Sequence, residues 1–392
     1  MSKKKLGIGV IGCGTISDVY LTNIVEHYDN LELLACADLY VEKAQQAAEK
    51  YGAPKGCTVE ELLAIPEIEL VLNLTIPAAH YEVNMQILEA GKNLYCEKPL
   101  TLKFEDAVKV AEYAKEKGLL ACSAPDTFLG AGIQTCRALL DEGAIGTPFG
   151  FTANMTCAGH ELWHPAPGFY YKKGGGPMFD MGPYYITALV SLLGPIKKIA
   201  CFTATGRPVR NILGTEQTSE VPTHYTGILT FENGAVGSIN MSFDTWNSDL
   251  PCMEIFGTAG SMSVPDPNGF GGPVMVYDGS KLQSIVEKVT EPHPAKLFTM
   301  VGAQKDCLEE RALMFPSDPD PRTNMRGLGA SDMAQALMDG RNSRLSTDIS
   351  VHVVEALNAF EIAAETDSVY EMTTTCEKPE PMGRDWALWE VR

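Results

Sequence analysis

Three short stretches of this chain carry the residue types that hydride and proton transfer need. The first is Gly12-Cys13-Gly14-Thr15-Ile16-Ser17. Its first two glycines let a backbone turn sharply and approach a pyrophosphate, whose charge rests on the free N–H groups of the helix that follows. Gly12, Gly14, Thr15 and Ile16 are the expected contacts, and Ser17 replaces the third glycine of the dinucleotide fingerprint. Asp38 lies 24 residues beyond Gly14, with Leu39 after it. A carboxylate there accepts hydrogen bonds from both ribose hydroxyls and repels a 2′-phosphate, so NAD is expected over NADP. The plainer alternative is an ordinary tight turn, with Asp38 capping a helix.

The second stretch is Glu97-Lys98-Pro99-Leu100. It places a lysine at the C-terminal edge of a parallel sheet, where such folds bind ligands. Pro99 biases Lys98 toward an extended backbone that aims the side chain into a cleft. Beside a cationic nicotinamide ring the ammonium would lose proton affinity and could share a proton with a substrate hydroxyl.

The third stretch is Asp180-Met181-Gly182-Pro183-Tyr184, within a helix expected over Pro177–Leu193. Asp180, Tyr184 and Thr187 share one face, and Ile186, Leu189, Val190 and Leu193 form an apolar stripe on the other, as a site wall would. A phenol, with its ordinary pKa near 10, is a poor base unless cations stabilise the phenolate. Lys98 and oxidised nicotinamide would supply that field. Tyr184 is therefore expected to take the hydroxyl proton, with Lys98 tuning the pair and Asp180 orienting the substrate. Two alternatives stay open: Asp180 as a simple helix-start acid, and Tyr184 as a binding group while Lys98 or water moves the proton.

Holding these residues requires a sheet whose strand ends converge. Up to residue 124, buried strands (Leu6–Ile11, Leu31–Ala37, Leu70–Leu74, Asn93–Cys96, Leu119–Ser123) alternate with helices (Ile16–Glu26, Val41–Tyr51, Ala78–Glu89, Phe104–Lys117), and Gly52 and Gly118 sit at C-caps. That is an α/β, doubly wound parallel sheet over 1–124. From 125 to 392 hairpins replace crossovers. Strands are expected at Phe149–Cys157, Lys198–Thr205, Tyr225–Phe231, Ala235–Phe243, Met253–Phe256 and Val274–Tyr277, with a type I′ turn at Asn233-Gly234. Helices are expected near Met325–Met338 and Ile349–Glu365, and loops at Val264–Gly272 and Phe315–Thr323. The second part therefore reads as α+β with an open, predominantly antiparallel sheet.

The net charge of −19 argues against nucleic-acid and anionic-membrane partners. Eleven cysteines without a CxxC pair point to reduced thiols in the cytoplasm. No apolar run reaches the roughly 18 residues of a membrane span. Lys3 to Lys5 before Val10-Ile11-Gly12-Cys13 imitates a lipoprotein leader, but the glycine-broken apolar stretch reads as the first strand.

The glycine loop, Thr75-Ile76-Pro77 with His80, Glu97-Lys98-Pro99, and Gly174-Gly175-Gly176 ahead of Asp180-Met181-Gly182 together resemble the glucose–fructose oxidoreductase, inositol dehydrogenase and rhizopine-catabolism (Gfo/Idh/MocA) family over nearly the whole chain. The resemblance implies an N-terminal Rossmann domain and NAD-dependent oxidation of a secondary alcohol on a sugar, glycoside or polyol. It also implies a role for Lys98 at the reacting hydroxyl, and places Glu97, Thr75, Pro77 and His80 on the cofactor side. The family usually shows Asp-x-Gly-x-His, and here Tyr184 takes the histidine's place. Two other functions fit the resemblance: an NAD-retaining glycosidase working through a transient keto-sugar, and a non-catalytic NAD-binding regulator. One face of the open sheet needs covering, which implies a homodimer or homotetramer.

His160-Glu161-Leu162-Trp163-His164 spells HExxH, yet Gly159, Pro165 and Pro167 leave no room for the helix a zinc site needs, so no metal is expected. A loop over the substrate is the better reading. Trp163 would stack on a sugar ring, His164 would bond its hydroxyls, and Tyr170, Tyr171, Lys172 and Lys173 would enrich the same loop.

Overall fold

Apolar strands buried on both faces assemble as a six-stranded parallel sheet. A computed structural model describes residues 5–287, 307–315 and 324–384. The strands are β1 (Leu6–Ile11), β2 (Leu31–Ala37), β3 (Lys55–Cys57), β4 (Leu70–Asn73), β5 (Asn93–Cys96) and β6 (Ala121–Ser123), in the order β3-β2-β1-β4-β5-β6. Between them run α1 (Thr15–Glu26), α2 (Val41–Tyr51), α3 (Val59–Leu63), α4 (His80–Glu89) and α5 (Phe104–Lys117). The expected bounds of β1, β2, β5, α2 and α5 hold. Helix α4 starts later than expected because Pro77–Ala79 form a 3₁₀ turn first. Neither β3 nor α3 is expected from the sequence, since three and five residues are too short to show a period.

The second sheet has nine strands. They are β7 (Pro148–Thr156), β8 (Ile196–Ala204), β11 (His224–Phe231), β12 (Val236–Ser242), β13 (Met253–Gly257), β14 (Gly260–Val264), β15 (Val274–Asp278), β16 (Leu308–Arg311) and β17 (Tyr370–Glu371). A separate hairpin joins β9 (Val209–Ile212) to β10 (Thr215–Thr218). The order is β16-β15-β14-β13-β7-β12-β11-β8-β17, antiparallel throughout except for the β7–β12 pair.

Two turn expectations change. At Asn233-Gly234 only the glycine has a positive φ, 89°, and Phe231 N donates to Ala235 O at 2.9 Å. This is a three-residue connection closed by a left-handed glycine, not a type I′ turn. The loop expected from Val264 begins one residue later, because Val264 closes β14. Of the Phe315–Thr323 loop only Phe315 lies within the described residues.

The helices of this half are α6 (Ala131–Asp141), α7 (Gly176–Leu193), α8 (Ser280–Glu287), α9 (Leu328–Asp339) and α10 (Thr347–Thr366). Helix α7 differs from the amphipathic wall expected of it, being buried nearly all round. Thr187 shares an internal space with Pro99, Ser123 and Phe128, away from the exposed cleft edge. Helix α10 packs on α5, α7 and β8. Its Val351 and Val354 enter the apolar core of the first sheet, and Ser350 Oγ accepts the Ser123 N–H at 3.0 Å. The two halves therefore share packed surface.

One loop from the second half is stapled to the first. Asn23 Nδ2 donates to Asn324 O (2.7 Å) and Arg326 O (2.8 Å), and the Tyr28 hydroxyl donates to Met325 O (2.5 Å). Buried Asp126 accepts from Gly327 N (2.9 Å) and Gly329 N (3.0 Å) through Oδ2. Burial raises the Asp126 pKa, against the pull of those donors and of Arg326. Asp126→Ala leaves two buried donors without a partner and is expected to cost about 3 kcal/mol. A lowered urea midpoint checks this, and an unchanged one shows the loop is held by other contacts.

Candidate active site

Strand β1 delivers the chain to Gly12, whose φ is +99° and whose Cβ, were there one, would lie 2.7 Å from the Leu74 main chain. Only glycine fits there. Exposed Gly14 caps α1 without any side-chain hydrogen bond, so the first N–H groups at Gly14, Thr15 and Ile16 remain for a ligand. At the end of β2, Asp38 is fixed beside this loop: Oδ2 accepts Cys13 N at 2.8 Å and Oδ1 accepts Tyr40 N at 2.9 Å. Each oxygen keeps a further lone pair. Asp38 opens onto a groove lined by Leu39, Thr58, Val59, Leu63 and Gln86. Free donors at a helix start and a carboxylate above a groove fit a dinucleotide.

On the next strands the expected cofactor residues divide. Thr75 is half-buried and turns its hydroxyl to Asn73 Oδ1 (2.7 Å), and Pro77 opens the 3₁₀ turn. His80 departs from its expected role. It is fully buried, with Nδ1 2.6 Å from Pro99 O and Nε2 3.0 Å from Thr75 O. Both ring nitrogens face main-chain carbonyls, and the single N–H of the ring, kept neutral by burial, bonds one of them, so His80 braces the Thr75 and Pro99 loops instead of reaching a nucleotide. Glu97 is anchored too: Oε1 accepts from the Tyr20 hydroxyl and Oε2 from Lys98 N, both at 2.8 Å.

Lys98 stands at the C-terminal end of β5, facing α7. Its Nζ donates to Asp180 O (2.6 Å) and Asp180 Oδ1 (2.9 Å), and both side chains are 15% exposed. Asp180 Oδ2 meets His160 Nε2 at 2.9 Å. Burial works against all three charges, but their mutual attraction prevails. It holds the Asp180 carboxyl at about 2, raises His160 to about 9, and raises Lys98 above its ordinary value, mainly through Asp180 and then Tyr184 and Glu97. Within the protein's own field Lys98 is thus driven toward the ammonium, opposite to the lowered value expected beside nicotinamide. Asp180 likewise turns both oxygens to protein cations and not outward to a substrate.

Tyr184 completes the cluster. Lys98 Nζ lies 5.1 Å from its ring centroid, and Arg326 Nη2 donates to its oxygen at 3.1 Å. Neither Arg326 nor His160 is among the residues expected from sequence. Arg326 is 142 positions beyond Tyr184, in a loop with no motif. His160 sits in the HExxH stretch and pairs with Asp180 only through the fold.

The rest of that stretch stays outside the cluster. His160–Leu162 form a 3₁₀ turn after Gly159. Glu161 pairs with Arg210 at 3.0 Å and accepts from the Tyr171 hydroxyl. Among the described residues no group of three His, Cys, Asp or Glu could hold a metal ion. Trp163 is 65% exposed and reaches the site through its Nε1, 3.2 Å from His160 Nδ1. His164 accepts Ala166 N at 3.0 Å and packs against Trp163, Phe169 and Tyr170, which makes it a brace of the loop. Lys172 and Lys173 are exposed.

A description of an oxidoreductase family with an NAD-binding Rossmann fold matches residues 6–124, and that of the GFO/IDH/MocA C-terminal domain matches residues 133–263. The scyllo-inositol 2-dehydrogenase (NAD(+)) of Bacillus subtilis (strain 168) is 26% identical over 329 residues, 82% of this chain and 92% of that one. The D-glucoside 3-dehydrogenase of Escherichia coli (strain K12) is 27% identical over 198 residues, 50% of this chain and 56% of that one. Levoglucosan dehydrogenase, solved with NADH and levoglucosan, shares the fold with a TM-score of 0.77, at 19% identity over 94% of this chain and 99% of that one.

The His160 ring gives a direct check on the site's electrostatics. Its raised pKa means that the pairing with Asp180 stabilises the fold fully below the unfolded value of about 6.5 and that this contribution fades as pH rises through about 9. A neutral ring makes both contacts, Nε2–H donating to Asp180 and Nδ1 accepting the Trp163 indole N–H, so protonation of Nδ1 gives up the indole bond in exchange for a charged pairing with Asp180, which prevails. Nitrogen-15 NMR of the ring is expected to show titration well above pH 6.5. Titration at or below 6.5 would mean that the indole contact wins.

Proposed function

Because the chain belongs to the GFO/IDH/MocA oxidoreductase family, we propose that it is an NAD-dependent dehydrogenase oxidising a secondary alcohol of a sugar, glycoside or polyol. The observation that carries this reading is Lys98, held as an ammonium at the C-terminal edge of β5 between the Asp180 carboxylate and the Tyr184 ring. The dehydrogenases named above support it.

Bound NAD supplies the hydride acceptor. The chain's part is binding, orientation and proton handling. Gly12, Gly14, Thr15 and Ile16 cradle the pyrophosphate. Asp38 takes the ribose hydroxyls and rejects a 2′-phosphate, favouring NAD over NADP. Two of the three Lys98 ammonium protons go to Asp180, and the third is left for the substrate hydroxyl oxygen, which it positions and polarises. Tyr184 accepts the hydroxyl proton. Arg326 donates to its oxygen at 3.1 Å and Lys98 lies over its ring, so both cations adjoin the group that takes the proton. Asp180 positions Lys98 and is itself held by His160, so its role shifts from orienting substrate to orienting the lysine. Trp163 covers the loop side with its exposed indole. The reaction uses no metal.

We place the protein in the cytoplasm on its buried thiols outside any disulfide, among them Cys36, Cys96, Cys122 and Cys136. No described helix is long and apolar enough to cross a membrane. The nine-stranded sheet packs Tyr225, Leu229, Phe231 and Ile239 inward, while Phe149 (56% exposed), Phe202 (70%), Ile228 (54%) and Val236 (48%) stand on the outer side. A second copy of the chain covers this face, giving a homodimer or homotetramer.

Assay of NAD reduction against a panel of sugars, glycosides and polyols tests the reading, which fails if none is oxidised. Lys98→Met is expected to lower kcat/KM by about 10³-fold with NAD binding retained, and Tyr184→Phe by about 10²-fold. Near-normal turnover in Tyr184→Phe moves the proton transfer elsewhere. Ile228→Glu is expected to reduce the assembly to monomers in light scattering, and an unchanged mass refutes the sheet as interface.

A further inference from the structure

We infer that the substrate carries a carboxylate, read by Arg326, so that the alcohol oxidised belongs to an acidic sugar or sugar acid. This rests on the dehydrogenase reading and narrows its substrate class.

Around Tyr184 the charged side chains other than Arg326 are tied directly to protein partners. Lys98 has its counter-ion in Asp180. Glu97 spends its oxygens on the Tyr20 hydroxyl and Lys98 N. Asp126 spends Oδ2 on the Gly327 and Gly329 amides. Arg326 feels the charge of nearby Glu97 but has no direct ion pair: among the described residues no carboxylate lies within 4.0 Å of it, and its hydrogen bonds go from Nη2 to Tyr184 Oη (3.1 Å) and Asn268 Oδ1 (2.8 Å). Its Nε and Nη1 donors have no protein acceptor among the described residues, and neither is sealed from solvent. A half-buried guanidinium with two open donors, each able to give one hydrogen bond, matches a carboxylate in charge.

The arginine is also held in advance. Its own carbonyl accepts from Asn23, its amide donates to Asn324 Oδ1 at 3.2 Å, and the flanking residues are bonded by Tyr28 and Asp126. Little ordering is left to be lost when an anion arrives. Position completes the case. Arg326 Cζ stands 5.8 Å and Lys98 Nζ 5.1 Å from the centroid of the Tyr184 ring, so one small molecule lying against that ring meets both cations. Its hydroxyl engages Lys98 while its carboxylate engages Arg326.

The test uses matched pairs differing at one carbon: D-glucuronate and D-glucose, D-galacturonate and D-galactose, D-gluconate and D-glucitol. For the NAD-loaded protein, the acid of at least one pair is expected to show kcat/KM at least tenfold above its neutral partner. In Arg326→Gln that ratio is expected to collapse toward one, mainly through KM, with Arg326→Lys restoring part of it. Preference for the neutral partners, or a ratio unmoved by Arg326→Gln, overturns the inference while leaving the dehydrogenase reading intact. If no pair reduces NAD, that reading falls separately, and calorimetric titration of the same NAD-loaded proteins with the same pairs decides. Acid-selective binding lost in Arg326→Gln sustains the carboxylate site, and equal or absent binding of the acids overturns it.

Discussion

Two opposite charges taken out of water must find each other, and the Lys98–Asp180 pair is the contact to which the arrangement of this site answers. Removing one partner from such a pair strands the other at a cost of several kcal/mol, so the elements bearing them are tied together. Lys98 leaves the end of β5, Asp180 projects from the second turn of α7, and His160 closes the far side of the carboxylate. The same attraction that joins the two halves of the chain keeps Lys98 charged. Its task is therefore to donate and polarise, and the proton has to be taken by another group.

Around this pair the fold divides the labour. The parallel sheet brings the glycine loop, Asp38 and Lys98 to one edge, because strands of one direction end together there. The antiparallel sheet contributes no residue to the Lys98–Asp180–His160 cluster; it supports α7 and the 3₁₀ turn that carry two of them. The return of α10 onto β6 and α5, and the stapling of Asn324–Gly327 to α1, join the two layers, which keeps Arg326 and Tyr184 in register with Lys98.

Much of this was legible in the residues. Strands and helices of the first 124 residues follow from buried apolar runs and glycine stops, and Lys98, Asp180 and Tyr184 do meet. What the chain does not display is pairing across distance. His160 and Arg326 have no local pattern, because a histidine or arginine contributes no period and its partner is chosen by tertiary packing. His80 and Asp180 show the converse: a polar residue at a motif position can be spent entirely on the protein. The buried all-round α7 misled for a related reason, since Thr187 and Tyr184 read as polar on a helical wheel but are accommodated inside. Short elements such as β3, β9, β10 and β16 fall below the length at which alternation can be seen.

The claim that Asp180 keeps Lys98 charged, and that the charged form is the active one, is tested most directly by the pH dependence of kcat/KM for NAD reduction in the wild type and in Asp180→Asn. Burial alone lowers the Lys98 pKa, and the neighbouring Asp180 carboxylate is the main charge that reverses this. The basic limb of the profile is therefore predicted to move to lower pH in Asp180→Asn by at least about one unit, the shift equivalent to roughly 1.4 kcal/mol of lost interaction. A basic limb that stays in place in the variant would contradict the account.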